Sequence, residues 1–323
     1  MKKLAGNVAV VAGATRGAGR GIARALGEAG VTVYCTGRSV RGKPSPYGRP
    51  ETIEETAQMV TVAGGIGVAV RVDHTVEHEV QNLFKRVDQD QGRLDILVNC
   101  VAGQDPMLGG SSSFWETDLS HGSDVLRQTV LSHLITAKHA APLMIRRRRG
   151  LIVEVTEGDM LWSGDNVLSG LVKSAFTLFA YRMALELRTH RVAAIAITPG
   201  YLRSEIMLES FGVTEQNWRD AGKKDKNFLE SESPLFIGRA VAALAQDPNV
   251  LARSGDLTSS WELAREYGFT DTDGQQRDWG KHFEEIAPSI PMFKEGMPRL
   301  IDWLDQISGR AKRCLGSSAP YRG

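Results

Sequence analysis

The fold is decided by one stretch near the start of the chain, the apolar run Val8-Ala9-Val10-Val11-Ala12 followed at once by Gly13-Ala14-Thr15-Arg16-Gly17-Ala18-Gly19. A continuous apolar run is typical of a strand that is buried on both faces. The glycines stand where a tight turn leads from this strand into a helix, and they let the backbone approach a pyrophosphate closely. The N–H groups and the dipole at the start of that helix attract negative charge. The stretch therefore predicts a nucleotide site formed by Gly13, Thr15, Arg16, Gly17 and Gly19.

The pattern of an apolar run followed by an amphipathic stretch repeats along the chain. We predict further strands at 31–35, 67–72, 94–99, 151–155 and 192–198, and a seventh around 254–259. The stretches between them predict helices at 19–29, 53–63, 76–90, 123–148, 168–189 and 237–245. Parallel strands must be joined by crossover connections, which are usually helices. The sequence therefore predicts an α/β fold with a doubly wound parallel sheet of the Rossmann type.

The chain has 323 residues, enough for one large core or for two domains. We expect residues 1–260 to form a single Rossmann domain that binds a dinucleotide. Within it, residues 202–234 mix charged with aromatic side chains, and we predict that this segment is a lid that becomes ordered when ligand binds. Residues 261–323 are expected to be a C-terminal extension packed on the core.

Composition excludes several classes of partner and site. Lys and Arg number 39 and Asp and Glu number 38, so the net charge of +1 gives no field that would collect nucleic acid or an anionic membrane. The three cysteines form no CxxC pair, which argues against a disulfide framework or a zinc site and favours the cytoplasm. His74 and His78 are four residues apart without a third ligand, so no metal is expected.

The residue after the second strand indicates which dinucleotide binds. In NAD-binding folds a carboxylate at this point accepts a hydrogen bond from the ribose 2′-hydroxyl. This chain reads Cys35-Thr36-Gly37-Arg38 instead. Arg38, together with Arg16 in the glycine turn, offers guanidinium groups that suit a 2′-phosphate. We therefore expect the cofactor to be NADP(H).

Separate motifs occur in a fixed order along the chain. The glycine turn is followed by Asp73 after the third strand, by Asn99-Cys100-Val101-Ala102-Gly103 after the fourth, and by Thr198-Pro199-Gly200 after the sixth. With this set, the chain resembles the short-chain dehydrogenase/reductase family over residues 5–260. The resemblance to a longer-chain branch of that family rests on Gly92-Arg93-Leu94-Asp95, Phe114-Trp115-Glu116 and Leu263-Ala264-Arg265-Glu266-Tyr267-Gly268.

The resemblance implies roles for the matched residues. Asp73 would contact the adenine. The segment with Asn99, Val101 and Ala102 would line the adenosine ribose and support the central strand. Pro199 and Gly200 would hold the nicotinamide. The resemblance also implies a homodimer or homotetramer built partly on the two long helices.

The family's chemistry implies a tyrosine and a lysine four residues apart on one helix, a serine upstream and an asparagine on the preceding long helix. Lys173 is present, but the tyrosine position holds Ser169. The serine position holds Glu157, with Thr156 as the alternative if the loop is shifted by one residue, and the asparagine position falls near Thr129. Because a serine hydroxyl is a much weaker acid than a phenol, the proton must come from another group.

Two classes of function fit these residues. The first is an NADP(H)-dependent oxidoreductase for a small organic carbonyl or alcohol, whose proton comes from Glu157, Tyr201, water or the substrate; we expect Glu157 to be a base or proton shuttle beside Lys173. The second is a non-redox lyase, isomerase or cyclase on the same fold, or a catalytically inactive cofactor-binding paralogue. A carboxylate buried near a lysine without a purpose is costly, which argues against the inactive paralogue.

Overall fold

The computed structural model describes residues 3–44, 48–102, 113–116, 119–157 and 167–287. Within these residues, seven parallel strands form one sheet in the order β3-β2-β1-β4-β5-β6-β7. The strands are β1 (Val8–Ala12), β2 (Thr32–Gly37), β3 (Ile66–Arg71), β4 (Ile96–Asn99), β5 (Gly150–Val155), β6 (Val192–Thr198) and β7 (Leu257–Ser259). The predicted doubly wound α/β fold is confirmed. The order reverses between β1 and β4, the point where open parallel sheets bind ligands at their carboxyl ends.

Helices connect the strands and cover the sheet. They are α1 (Gly17–Glu28), α2 (Ile53–Ala63), α3 (Glu77–Gln91), α4 (Leu119–Leu126), α5 (Ser132–Arg147), α6 (Val167–Leu187), α7 (Glu205–Phe211), α8 (Pro234–Gln246), α9 (Ser260–Tyr267) and α10 (Trp279–Ile286). The single helix predicted over 123–148 is wrong, because a π-helical turn at Arg127–Leu131 separates α4 from α5. Such turns insert a residue into the helical repeat and are frequent at functional sites.

Two apolar cores lie on opposite faces of the sheet. Ile22 of α1 and Val241 of α8 belong to one core, and Phe84 of α3 and Met144 of α5 belong to the other. Full burial of each such side chain contributes about 1.5–3 kcal/mol. β3 lies at the edge of the sheet, and its Ile66 is 61% exposed. The sheet is therefore fully covered at its centre, where the nucleotide turn is anchored.

Residues 202–234, which we call the lid segment, fold around an apolar cluster of their own. The segment contains α7 and two short 3₁₀ helices, and it buries Trp218 and Phe228. Its two ends meet, because Leu202 and Glu232 form a parallel bridge. The lid segment therefore has internal packing, while its ordering by ligand stays a prediction.

The compact unit that contains the sheet runs from Met1 to Asp278 and includes α9. Residues 279–323 form a second unit, of which the structure describes α10 and residue 287. The packing of a C-terminal extension on the core stays a prediction. None of the described helices has the length and apolar character that a membrane span requires.

Candidate active site

A cavity of about 490 Å³ lies at the carboxyl ends of the strands, where the strand order reverses. Its walls come from the turns after six of the strands, from the π-helical turn and from α6. The predicted residues that line it are Gly13, Thr15, Arg16, Gly17, Arg38, Asp73, Val101, Ala102, Thr129, Glu157, Ser169, Lys173 and Pro199. The structure thus brings most of the predicted cofactor residues and most of the predicted catalytic residues into one cavity.

The glycines of the first turn have two different uses. A Cβ on Gly13 would lie 2.4 Å from the carbonyl oxygen of Cys100, and a Cβ on Gly19 would lie 2.2 Å from that of Gly13, so both glycines permit close backbone packing. Gly17 has a φ of 54°, and a Cβ there would meet no atom nearer than 3.6 Å. Gly17 begins α1, where the helix dipole attracts a phosphate.

A carboxylate from the lid segment reaches the start of α1. Oε2 of Glu205 accepts a hydrogen bond from the Gly17 N–H at 2.7 Å, and its other oxygen lies 3.6 Å from Nη1 of Arg20. The positive end of a helix dipole stabilises a carboxylate there as it would a phosphate. Glu205 therefore ties the lid segment to the turn where the dinucleotide phosphates are expected.

Arg38 and Asp73 lie together after β2 and β3. Nη1 of Arg38 is 3.8 Å from Oδ2 of Asp73, and the Arg38 side chain is 35% exposed. Burial raises the pKa of Asp73, but hydrogen bonds from Thr75 and the charge of Arg38 outweigh burial, so the pKa is lowered overall. Asp73 is a carboxylate at neutral pH, and the guanidinium of Arg38 has more N–H donors than one carboxylate uses.

Arg16 has a closer acidic partner than the sequence indicates. Its Nε lies 3.3 Å from Oε2 of Glu51, and Glu51 also pairs with Arg49 at 2.7 Å. Burial lowers the pKa of Arg16, while the charge of Glu51 opposes this shift. Glu51 was not predicted from the sequence, because the carboxylate that indicates NAD binding stands directly after the second strand and Glu51 lies further along the chain. Arg16 lines the cavity, but its charge is shared with a buried acid.

Two predicted cofactor residues stand behind the cavity wall. The side-chain amide of Asn99 donates to the carbonyl oxygen of His133 at 3.2 Å and to Oε1 of Glu154 at 2.7 Å. The N–H of Gly200 donates to Oε2 of Glu232 at 2.9 Å. Both residues therefore fix the backbone beside the cavity instead of facing it.

A buried histidine and glutamate support the wall from below. Nδ1 of His133 is 2.7 Å from Oε2 of Glu154, and Nε2 is 3.1 Å from the carbonyl oxygen of Val101. A carbonyl oxygen only accepts, so the Nε2 that faces Val101 carries a hydrogen. The imidazole also stacks on Phe176 with ring centroids 4.3 Å apart. Because Val101 and Phe176 line the cavity, this pair fixes part of its wall.

His74 joins β2 to α5. Nε2 of His74 is 2.8 Å from the Thr36 hydroxyl, and Nδ1 is 2.8 Å from the Thr136 hydroxyl. Burial, with a smaller contribution from His133, lowers the pKa of His74 to about 3. His78 is exposed while His74 is buried. The described residues contain no group of three or more His, Cys, Asp or Glu that could hold a metal ion.

The catalytic end of the cavity is open to water. Nζ of Lys173 is 3.9 Å from Oε2 of Glu157, whose side chain is 77% exposed. The expectation of a carboxylate buried beside this lysine is therefore wrong, because Glu157 is exposed. Ser169 lies one turn before Lys173 on α6 and is buried. Thr156 is also present at this end, and its hydroxyl donates to the carbonyl oxygen of Lys173 at 3.5 Å.

The remaining catalytic predictions differ in outcome. Thr129 lines the cavity from the π-helical turn, and its hydroxyl donates to the carbonyl oxygen of Val125 at 2.7 Å. Tyr201 belongs to the cluster of the lid segment, where its hydroxyl is 3.2 Å from Oδ2 of Asp225 and its ring packs on Phe228. Burial and the charge of Asp225 raise the pKa of Tyr201 to about 12. The interpretation of Tyr201 as a proton donor in the site is therefore not supported by its placement.

Comparison with known proteins decides the family. A family model described as short chain dehydrogenase matches residues 7–212. The chain belongs to the short-chain dehydrogenase/reductase family. Relatives named dehydrogenase/reductase SDR family member 1 are 40% identical over 275 residues in Mus musculus and 38% identical over 274 residues in Homo sapiens, each alignment covering 84% of both chains. A solved short chain dehydrogenase from Mycobacterium thermoresistibile has a TM-score of 0.71 at 22% identity, covering 86% of this chain and 92% of that one.

Three acidic residues of this short-chain dehydrogenase/reductase that were not predicted from the sequence have partners distant along the chain. Glu51, Glu205 and Glu232 reach the site from loops or helices far along the chain from the residues they bind. Their local sequence carries no sign of those contacts. Glu154 does carry a sign, because it interrupts the apolar run of β5 and a carboxylate in a buried strand requires a partner.

Proposed function

We propose that this protein is an NADP(H)-dependent oxidoreductase that acts on a small organic carbonyl or alcohol with a proton donor other than tyrosine. The observation that carries the proposal is the presence of Arg38 and Lys173 in one cavity, on opposite sides of the strand reversal. Three strand spacings, about 14 Å in total, separate β2 from β5. A ligand held at both points must extend across the sheet, as a dinucleotide does.

The residues of the cavity suit this cofactor. At the start of α1 a pyrophosphate would replace the Glu205 carboxylate on the Gly17 N–H. Arg38 would offer N–H donors to a 2′-phosphate, and Asp73 would accept from the adenosine. When bound, the nicotinamide would supply or accept the hydride. The protein contributes binding, orientation and the proton.

Lys173 and Glu157 are the groups that we assign to the proton. The ammonium of Lys173 would bind ribose hydroxyls of the cofactor, and its Nζ lies 3.9 Å from Oε2 of Glu157. The carboxylate of Glu157 takes the hydroxyl proton of an alcohol substrate, and in the reverse direction it returns a proton to the carbonyl oxygen. Because Glu157 is exposed, it exchanges that proton with bulk water. A positioned general base of this kind contributes about 10²–10⁴-fold to the rate.

Titration of the purified protein with NADPH and NADH tests the cofactor. We expect NADPH to bind at least about tenfold more tightly, which corresponds to about 1.4 kcal/mol. Equal affinities would contradict the role of Arg38. Turnover of a panel of carbonyls and alcohols, followed at the absorbance band of reduced nicotinamide, tests the redox reaction.

A second candidate is a non-redox lyase, isomerase or cyclase on the same fold. The observation that favours it is Ser169 at the position four residues before Lys173 on the cavity wall, where the family pattern implies a tyrosine. In that case Glu157 and Lys173 move protons on the substrate alone. Substrate conversion without any change in nicotinamide absorbance would select this candidate over the redox enzyme.

We also propose that the protein is a cytoplasmic homodimer or homotetramer. Exposed apolar side chains follow one side of α6, namely Leu171, Leu178 and Leu185. A contiguous exposed apolar patch marks an interaction surface. Replacing Leu171 and Leu178 together by lysine is expected to lower the mass measured by light scattering, and an unchanged mass would contradict the assignment. The free thiols of Cys35 and Cys100 are compatible with a reducing compartment.

A further inference from the structure

The turn after β6 is bonded to one residue at the far end of the lid segment. The N–H of Glu232 donates to the carbonyl oxygen of Tyr201 at 2.9 Å, and the carbonyl oxygen of Glu232 accepts from the N–H of Arg203 at 3.0 Å. The carboxylate oxygen Oε2 of Glu232 accepts from the N–H of Gly200 at 2.9 Å. Backbone and side chain of a single residue thus hold three residues of this turn.

The same carboxyl group reaches a third element. The hydroxyl of Ser260, the first residue of α9, donates to Oε2 of Glu232. Glu232 is 1% exposed, and its Oε1 has no hydrogen-bond partner among the described residues. A buried carboxyl group that joins the turn, the lid segment and α9 while one oxygen stays unsatisfied is destabilising by itself. This cost calls for a role beyond packing.

The charges around Glu232 do not neutralise it. Arg203 is buried nearby, but its guanidinium binds Glu215 and Asp271. Arg277 lies 3.8 Å from Asp271 and so faces that acid. The basic groups on this side are therefore matched by other carboxylates.

Protonation removes the buried charge. Burial, together with the charge of Asp271, raises the pKa of Glu232 to about 8, although the hydrogen bonds from Ser260 and Gly200 and the charge of Arg203 oppose the shift. Below that pH the group is a neutral carboxylic acid, which tolerates burial. Above it, a buried charge appears directly behind the turn.

We propose that Glu232 is a positioning residue that fixes the Pro199–Gly200 turn and thereby the surface that receives the nicotinamide half of the cofactor. Pro199, Leu202 and Ser204 line the cavity, and the groups that Glu232 binds lie between them in the chain. This inference rests on the proposed function. It predicts that loss of the Glu232 carboxyl group loosens the nicotinamide half of the site and leaves the adenosine half intact.

Two ligands separate these halves in an experiment. NADPH uses both halves, whereas adenosine 2′,5′-bisphosphate uses the part near Arg38 and Asp73 alone. In titration calorimetry at pH 7, Glu232→Ala is expected to weaken NADPH binding at least about tenfold and to leave binding of the bisphosphate within about twofold of the unmodified protein. Glu232→Gln keeps an oxygen for Gly200 and Ser260 and is expected to retain NADPH binding.

The pH dependence of NADPH affinity is a second measurement, and a purely structural role of Glu232 would leave it unchanged. As the pH rises from 7 to 9, NADPH binding by the unmodified protein is expected to weaken relative to that of Glu232→Gln, because only the glutamate becomes charged. Asp95→Asn is the matched control, since Asp95 is a buried acid that accepts from the N–H of Val8 at the amino ends of the central strands. It is expected to change neither the ratio of the two ligands nor the pH dependence.

The outcomes distinguish this inference from the proposed function. Equal losses for NADPH and for the bisphosphate in Glu232→Ala, no loss for either, or the same pattern in Asp95→Asn would overturn the role of Glu232. If the unmodified protein binds neither nicotinamide cofactor, the proposed function fails. In that case, amide hydrogen exchange at Gly200 tests the bond from the Gly200 N–H to Glu232 without any ligand. Faster exchange in Glu232→Ala than in Glu232→Gln supports this bond, and equal exchange contradicts it.

Discussion

The half of the cavity around Arg38 and Asp73, which we call the adenosine half, differs in burial from the half around Lys173 and Glu157, which we call the catalytic half. Around Asp73 and Arg38, charged groups are partly buried and paired, and the neutral His74 joins the neighbouring elements. At the other half, Lys173 faces Glu157, whose side chain is 77% exposed. In the half around Lys173, Ser169 stands four residues before the lysine, at the position where the family pattern implies a tyrosine.

Removing the Glu157 carboxylate sharpens this comparison most. Glu157→Gln is expected to lower kcat by about 10²–10⁴-fold while leaving NADPH affinity unchanged, because the amide cannot take a proton. Ser169→Ala, on the wall one turn before Lys173, is the matched control and is expected to be mild. Steady-state kinetics and calorimetry on both variants provide the measurement. If Ser169→Ala loses turnover while Glu157→Gln keeps it, the serine hydroxyl is the proton donor.

Acid pH tests the buried support of the adenosine half. The folded-state pKa of His74 is about 3, below its usual value of 6.5. The unfolded chain therefore binds a proton that the folded chain does not, and stability is lost as the pH falls below 6.5. Between pH 6.5 and 5 this contributes a loss of about 2 kcal/mol. Urea unfolding of His74→Gln should show a correspondingly shallower pH dependence, whereas His78→Gln, which changes an exposed histidine, should behave like the unmodified protein.

Reversing the charge at Arg38 tests the cofactor preference of the same half. Arg38→Asp places a carboxylate where it accepts from a 2′-hydroxyl and repels a 2′-phosphate. We expect the ratio of NADPH to NADH affinity to fall at least about tenfold, with kcat for the preferred cofactor little changed. An unchanged ratio in paired titrations would assign the recognition of the phosphate to Arg16 or to another cation.

The smallest expected effect concerns the contact that crosses between the lid segment and the glycine turn. Glu205→Gln removes a negative charge at the start of α1, so NADPH affinity is expected to rise about threefold. This change in binding free energy is comparable to the net contribution of one weak hydrogen bond. Glu209→Gln, one turn further on α7, pairs with Arg49 and serves as the control. A fall in affinity on loss of Glu205 would show that this carboxylate shapes the site for the cofactor instead of competing with it.

The parts of the structure that could be predicted are those governed by local pattern. β1, the glycine turn and β6 follow from apolar runs and from glycines whose neighbours leave no room for a Cβ, as at Gly13. The π-helical turn could not be predicted, because the apolar repeat continues across it. The partners of Glu51 and Glu232 depend on how distant helices and loops pack together. The local spacing of apolar residues carries no information about that packing. Tyr201 follows the turn after β6 in the sequence, but its side chain packs on Phe228 and not in the cavity. Nearness to a loop in sequence does not fix the direction of a side chain.

The bridge between Leu202 and Glu232 has a consequence for how this enzyme changes over time. Because the lid segment leaves and rejoins the body of the protein at neighbouring points, its interior can lengthen, shorten or be exchanged while both attachment points stay in place. The entropic penalty for closing a longer excursion grows only slowly with its length. Variation in this segment can therefore change the cavity wall that Leu202 and Ser204 form while the sheet stays unchanged, so long as the replacement keeps the pairing at its ends.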